Sequence, residues 1–208
     1  VGLHIRGPLP KLLEGLTLKN IRLRFSDGKK YIFSDLGELL FTGVGISGPL
    51  VLSLSGQISD WVGKSKTVLV EIDLKPALSQ EEVDARLLRE FKKSSKKIIK
   101  NTLKDLLPVS LVDVFLDISK VTKNKKVSQI TQAERKRMTI LFKGIKLDIK
   151  KAESMDYAMV TRGGVSLKDI DPRTMESRII KGLYFSGEVI DVDADTGGFN
   201  LQAAFSTG

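Results

Sequence analysis

The sequence contains no cysteine, which excludes disulfides, thiolate nucleophiles and thiolate-held zinc or iron–sulfur centres. It has a single histidine, His4, in a Gly/Pro-rich leader. That count argues against imidazole-based metal sites and against a Ser-His-Asp triad. Aromatic residues make up 6% of the chain, with no RNP-like run and no interleaving of aromatic and basic positions, so a base-stacking nucleic-acid platform is not expected. No apolar run approaches the roughly 18 residues that cross a bilayer, and no signal-peptide pattern is present. The first residue is Val1 rather than methionine. Chemistry is left to carboxylates, backbone amides, hydroxyls or a bound cofactor.

What is present is ordinary for a globular protein. The 208 residues are 41% hydrophobic and 28% charged, enough to bury a real core. The net charge of +9 is concentrated between Arg86 and Lys151, in "KKSSKK" (92–97), "KNKK" (123–126) and "ERKRM" (134–138). Lysines on the outer side of a helical segment are ordinarily solvated surface. A basic module binding nucleic acid or another anionic partner is the alternative that this charge supports.

Residues 16–74 read as mostly β. "GLTLKNIRLRF" alternates, with a one-residue shift between Leu18 and Ile21 that suits a bulge. Asp27-Gly28 marks a hairpin turn, "YIFSDLGELLFT" resumes extended structure, and "KTVLVEIDL" (66–74) predicts a further strand. From residue 79 the period changes. Ser79-Gln80-Glu81-Glu82 and Thr131-Gln132-Ala133-Glu134 are capping boxes, helical spacing runs between them, and Gly144 sits at a C-cap position. "IKLDIKKAESMDYAMVTRGGV" (145–165) returns to strand-like alternation.

"GVGISG" (43–48), with Glu71 some 20 residues on, matches a dinucleotide fingerprint. Meander-like strands precede it, however, and the Ser/Gly-rich "PLVLSLSGQISDWVG" that follows is a mediocre helix former. The glycines are better explained by tight backbone packing. In "GLYFSGEVIDVDADTGGFNLQAAFSTG" (182–208), the apolar Leu183-Tyr184-Phe185 predicts a short strand, with Gly187 and Glu188 just past its end. Thr196 is placed to cap a helix opening with Gly197-Gly198, whose free amides would face a ligand held by Glu188, with Asn200 adding hydrogen bonds. Asp191, Asp193 and Asp195 lack the glycine and distal glutamate of a calcium loop.

Residues 158–208, above all "GLYFSGE" and "DTGGFNLQAAF", resemble the C-terminal part of the YhiN-type (HI0933-like) bacterial flavoproteins, and "LLFTGVGISGPLVLSLS" (39–55) resembles their middle segment. The resemblance runs from about Leu16 onward. It implies an FAD-dependent oxidoreductase moving hydride between flavin and NAD(P)H or an amine-like small molecule. A cytoplasmic location and no membrane partner are expected, with nucleic acid the less expected partner and self-association an option. The implied α+β architecture is a β-rich middle domain (1–78 and 145–165) with a helical insertion (79–144). To it is added the C-terminal strand–helix return (166–208) of an incomplete FAD-binding α/β domain. Glu188 corresponds to an acid on the ribityl or phosphate region, and Gly197 and Gly198 to the helix start facing the flavin. Arg162, Gly163 and Gly164 correspond to a turn near its ring. The family's histidine before Gly-Ile-Ser-Gly-Pro is replaced by the Gly43-Val44 region, and no adenine-binding fingerprint precedes Leu16. The expectation is therefore a fragment with half a flavin site, inactive by itself.

Overall fold

A computed structural model describes residues 1–64 and 67–208. Six strands close into an antiparallel barrel: β1 (Leu3–Ile5), β2 (Thr17–Ser26), β4 (Gly37–Phe41), β5 (Gly45–Ser47), β6 (Val68–Asp73) and β7 (Ile145–Ala152). The hydrogen-bonded circuit runs β2-β4-β5-β1-β7-β6 and returns to β2, while β3 (Tyr31–Phe33) flanks β2. Closure removes the open edges that a sheet of this size would otherwise expose.

Period-two alternation decides which way each strand faces. Leu23 and Phe25 on β2, Leu39 and Phe41 on β4, Val68, Val70 and Ile72 on β6, and Ile145, Leu147 and Ile149 on β7 are all buried. The register of β2 against β4 slips between Leu18 and Ile21, with Asn20 left-handed, so the anticipated bulge is there. It lets one ten-residue strand pair β4 with its first half and β6 with its second. The β2–β3 turn is held by Asp27, whose Oδ1 accepts from the amides of Lys29 and Lys30.

One element goes unread in the sequence and three expectations need correction. The Gly/Pro-rich leader supplies β1, which pairs with both β5 and β7, and α1 (Leu9–Leu12). A three-residue strand carries too little pattern to be read, because both its partners are distant in sequence. The Ser/Gly-rich run after "GISG" forms α2 (Pro49–Lys64), a sixteen-residue helix burying Leu50, Val51, Ser55 and Ile58. Here packing overrides propensity. Strand β7 stops at Ala152, and the 3₁₀ turn Met155–Tyr157 follows rather than more strand. Leu183-Tyr184-Phe185 forms no strand; Tyr184 makes one isolated bridge to Glu176 and remains exposed. Of the predicted strand 66–74, Lys66 lies outside the described residues.

The helices α3 (Gln80–Lys93), α4 (Ile99–Leu103), α5 (Val109–Ser119) and α6 (Gln132–Lys143) all lie between β6 and β7. Those strands are neighbours, with Ile72 opposite Ile145. Both capping boxes form: Ser79 with Glu82 at the start of α3, and Thr131 with Glu134 at the start of α6. Asp84 on α3 holds Arg135 on α6 by two hydrogen bonds (2.8 and 3.2 Å). The Phe115 and Phe142 rings pack 4.8 Å apart, joining α5 to α6. Lys143, at the end of α6, reaches Asp73 (2.7 Å) and the carbonyls of Lys75 and Leu78, fastening the helices to the barrel rim. Among the described residues no helix is long and apolar enough to cross a membrane.

Candidate functional site

Gly45 begins the strand that leads to the site. A Cβ there would lie 1.9 Å from the Leu3 carbonyl oxygen, so only glycine lets β5 lie this close to β1. This is the close packing expected of "GVGISG", and the segment is a barrel strand turning into α2 rather than a nucleotide loop. Helix α2 then presents Ser53, Gly56 and Asp60, spaced i, i+3 and i+7 and therefore on one face. All three meet the segment that follows β7, at Arg162 or Thr196. Ser53 Oγ lies 3.0 Å from Thr196 Oγ1 and accepts from the Thr196 amide (3.2 Å). Arg162 passes over Gly56 and donates to Asp60 (2.7 Å). That bond, before any other cause, holds the Asp60 carboxyl below the usual carboxylate range and raises Arg162.

The turn 162–165 pairs with the segment after Gly187. Val165 donates to the Val189 carbonyl (2.8 Å), Asp191 donates to the Val165 carbonyl (3.0 Å), and Gly163 donates to Asp191 Oδ1 (3.0 Å). Gly164 sits at φ +138, where an added Cβ would come within 2.3 Å of the Val189 oxygen. The parallel bridge between Val165 and Ile190 requires that glycine.

The last helix, α7 (Phe199–Thr207), starts from Gly198 without a side-chain cap. Thr196 is not its cap, as the sequence suggested, because its hydroxyl and amide are both turned to Ser53. Asn200 reaches back instead: its Oδ1 accepts from the Ala194 amide (2.9 Å) and its Nδ2 donates to the Ala194 carbonyl (2.8 Å). Gly187 donates to Thr207 Oγ1 (3.0 Å). The first intrahelical bond runs from Gln202 to Gly198, so the amides of the first turn have no partner within the helix.

Two clefts result. One, of about 360 Å³, is walled by Ile170, Met175, Ile190, Val192, Ala203 and Ala204, with Gly187, Glu188, Asn200 and Thr207 as its polar groups. The other, of about 260 Å³, lies between α2 and the closing segment and is lined by Ser53, Asp60, Arg162, Thr196 and Asn200. Asn200 lines both. Of the residues singled out from sequence, Gly187, Glu188 and Asn200 meet in the first cleft, and Arg162, Thr196 and Asn200 in the second. Gly163 and Gly164 build the supporting turn behind them, while Gly197 and Gly198 line neither. The Glu188 carboxylate is exposed and makes no hydrogen bond among the described residues, which leaves it available to an incoming hydroxyl. Sequence reasoning missed Ser53 and Asp60, whose i, i+7 spacing was the available signal, and Thr207.

An antiparallel barrel with a four-helix excursion between two neighbouring strands, followed by a glycine-rich closing segment, defines a barrel-and-helix class of protein. A family model described as the HI0933-like protein barrel and H2TH domain matches residues 1–160, and the chain belongs to that family. It is 30% identical over 181 residues to a 3-dehydro-bile acid delta(4,6)-reductase of Clostridium scindens, covering 87% of this chain and 44% of that protein. Ribosomal RNA dihydrouridine synthases of Haemophilus influenzae and Escherichia coli are 37% and 31% identical, covering 82% of this chain and 40% of each relative. These names are those of oxidoreductase-type enzymes. The chain spans about two fifths of the length of the curated relatives it matches.

Proposed function

We propose that this chain forms the barrel, the helical insert and one wall of the cofactor site of an FAD-dependent reductase that saturates a carbon–carbon double bond. The observation that carries the proposal is convergence: 162–165 and 194–200, remote from α2 in sequence, are latched to it through Arg162–Asp60 and Thr196–Ser53, and 187–191 is latched in turn to 162–165 through Gly163–Asp191, around the two clefts. The residues present fit a flavin. An apolar cleft with few polar groups suits a flat ring system, the Gly164 turn supports the strand-like wall beside it, and first-turn amides suit an anionic group. Glu188 and Asn200 would hold hydroxyls of the sugar-like chain, and Arg162 would orient the loop carrying Gly163 and Gly164. Bound flavin supplies hydride transfer. This chain's residues bind and orient it, and the apolar lining excludes water from it.

The direction of electron flow is supported by the relatives' names, a reductase and a dihydrouridine synthase, each of which describes adding hydrogen to an unsaturated acceptor. NAD(P)H is the donor that fits such a reaction: NAD(P)H and a proton are consumed and one double bond is saturated. The amine-like donor implied by the resemblance has no counterpart in those names.

The test is a titration with FAD, read by absorbance and flavin fluorescence, of this chain and of a protein extended to the relatives' length. Saturable binding and a yellow protein are expected from the longer form. In it, Asn200→Ala should weaken binding about tenfold, or about 1.4 kcal/mol, because the turn that Asn200 holds on Ala194 is released and the amide's remaining N–H and lone pair no longer meet the flavin's side chain. A longer protein that folds but stays colourless would sink the proposal.

A further inference from the structure

Residues 79–144 hold 16 of the 34 basic and 8 of the 25 acidic side chains, and so eight of the nine net positive charges. The two lysine runs, 92–97 and 123–126, lie about thirty residues apart in sequence, and the fold joins them. Ile98 bridges Lys126, Ile99 donates to the Lys125 carbonyl (2.9 Å), Val127 to Lys97 (3.0 Å) and Ser128 to Ser95 (3.1 Å). This corner is the distal end of the insert, where α3 finishes and α6 begins. Fourteen residues of α3 place it about 20 Å from that helix's start near the barrel, at 1.5 Å per residue.

The charges here are only partly used. Lys93 pairs with Glu90, Lys123 with Asp117 and Lys125 with Glu134. Lys92, Lys96, Lys97 and Lys126 are exposed and have no carboxylate partner among the described residues. Exposed Ser95, Asn124, Ser128 and Gln129 are interleaved with them.

We infer that this corner is a docking surface for the phosphate backbone of a folded, double-helical RNA, and that it anchors the substrate of the reductase proposed above at a distance from the clefts. Lysines pair with phosphates irrespective of sequence. Hydroxyl and amide groups among them match the 2′-hydroxyls that an A-form helix displays in its shallow groove. The scarcity of aromatic residues, which weighs against a single-strand stacking platform, does not weigh against duplex recognition, which needs no stacking. Composition shows only the scarcity, whereas the convergence of the two runs exists in the fold alone. The inference rests on the reductase reading for the RNA's role as substrate; the binding itself is independent of it.

The experiment is fluorescence anisotropy of the full chain with a labelled RNA hairpin of about 16 base pairs, titrated from 50 to 200 mM salt. A single-stranded RNA of equal length and a DNA duplex of the same sequence serve as companion probes. The variant Lys96→Ala/Lys97→Ala/Lys126→Ala is compared with a charge-matched control, Lys11→Ala/Lys29→Ala/Lys30→Ala. Circular dichroism and the melting temperature establish that both fold. The expected result is salt-sensitive binding to the RNA hairpin in preference to both other probes. The corner variant should lose at least about tenfold in affinity, and its log–log salt slope should fall by about 2 to 3, close to 0.9 per phosphate contact removed. The control should stay within about twofold. Equal losses in both variants, no hairpin binding at 100 mM salt, or tighter binding of the single strand or of DNA would each overturn the inference. RNA binding without any flavin binding by the longer protein would leave the docking surface standing and remove the reductase. Flavin binding without RNA binding would do the reverse.

Discussion

Two glycines show how single residues set the geometry here. At Gly45 the neighbour is backbone, the Leu3 carbonyl, and cannot move aside. Gly45→Ala should therefore destabilise the barrel by about 3 kcal/mol, the upper part of the range for overpacking, measurable by urea denaturation. Gly164→Ala is expected to spare the barrel but to break the Val165–Ile190 bridge, seen as faster amide exchange at Val165 and Asp191. Thr102 offers the opposite case. It is 1% exposed, and its hydroxyl has no hydrogen-bond partner among the described residues. Thr102→Val keeps the shape and removes that unpaired group, so a gain of about 1 kcal/mol is expected in the same denaturation experiment. Asp84 responds to pH. The Arg135 guanidinium beside it, more than its other neighbours, holds its carboxyl below the usual carboxylate range. Because the folded value lies below the unfolded one, the stabilisation is complete above about pH 4 and drains away as pH falls through the folded value. An Asp84→Asn variant should show a flatter stability curve on that acid side.

At the scale of elements, local chemistry is legible and distant pairing is not. The two capping boxes form as the sequence says, since each is closed within four residues. Replacing Ser79 or Thr131 with alanine should cost about 1 kcal/mol each, read as a lower melting temperature. The Leu18–Ile21 bulge and the Asp27 turn are equally local. By contrast β1 exists only through β5 and β7, and α2 only through its buried face, so neither shows in propensity or pattern. The apolar 183–185 run reads as a strand by composition alone, but a strand needs a ladder, and among the described residues only Tyr184 finds a bridging partner, Glu176. The candidate site was half legible for the same reason. Gly187, Glu188 and Asn200 stand out in one continuous stretch, but Ser53 and Asp60 acquire meaning only once α2 is known to be a helix facing that stretch. Helix α7 buries no residue and exposes Phe199 and Phe205 (62% and 79%). Its amides should exchange orders of magnitude faster than those of β6 and β7.

For the whole molecule, the placement of the helices between two paired strands matters most. Ile72 and Ile145 already face one another in the β6–β7 ladder, so the barrel does not depend on the helices to bring those strands together. Joining residue 73 to residue 145 through a short Asn-Gly turn should leave a protein that unfolds cooperatively, at a lower temperature because Leu74 and the α6 contacts are lost. A bile acid reductase and two ribosomal RNA dihydrouridine synthases are 30%, 37% and 31% identical to this chain over 87%, 82% and 82% of its length. A part mounted at two adjacent points can be lengthened, recharged or reshaped without passing strain to its mount. The outlying end of such a molecule can therefore drift in small neutral steps that the closed barrel does not feel.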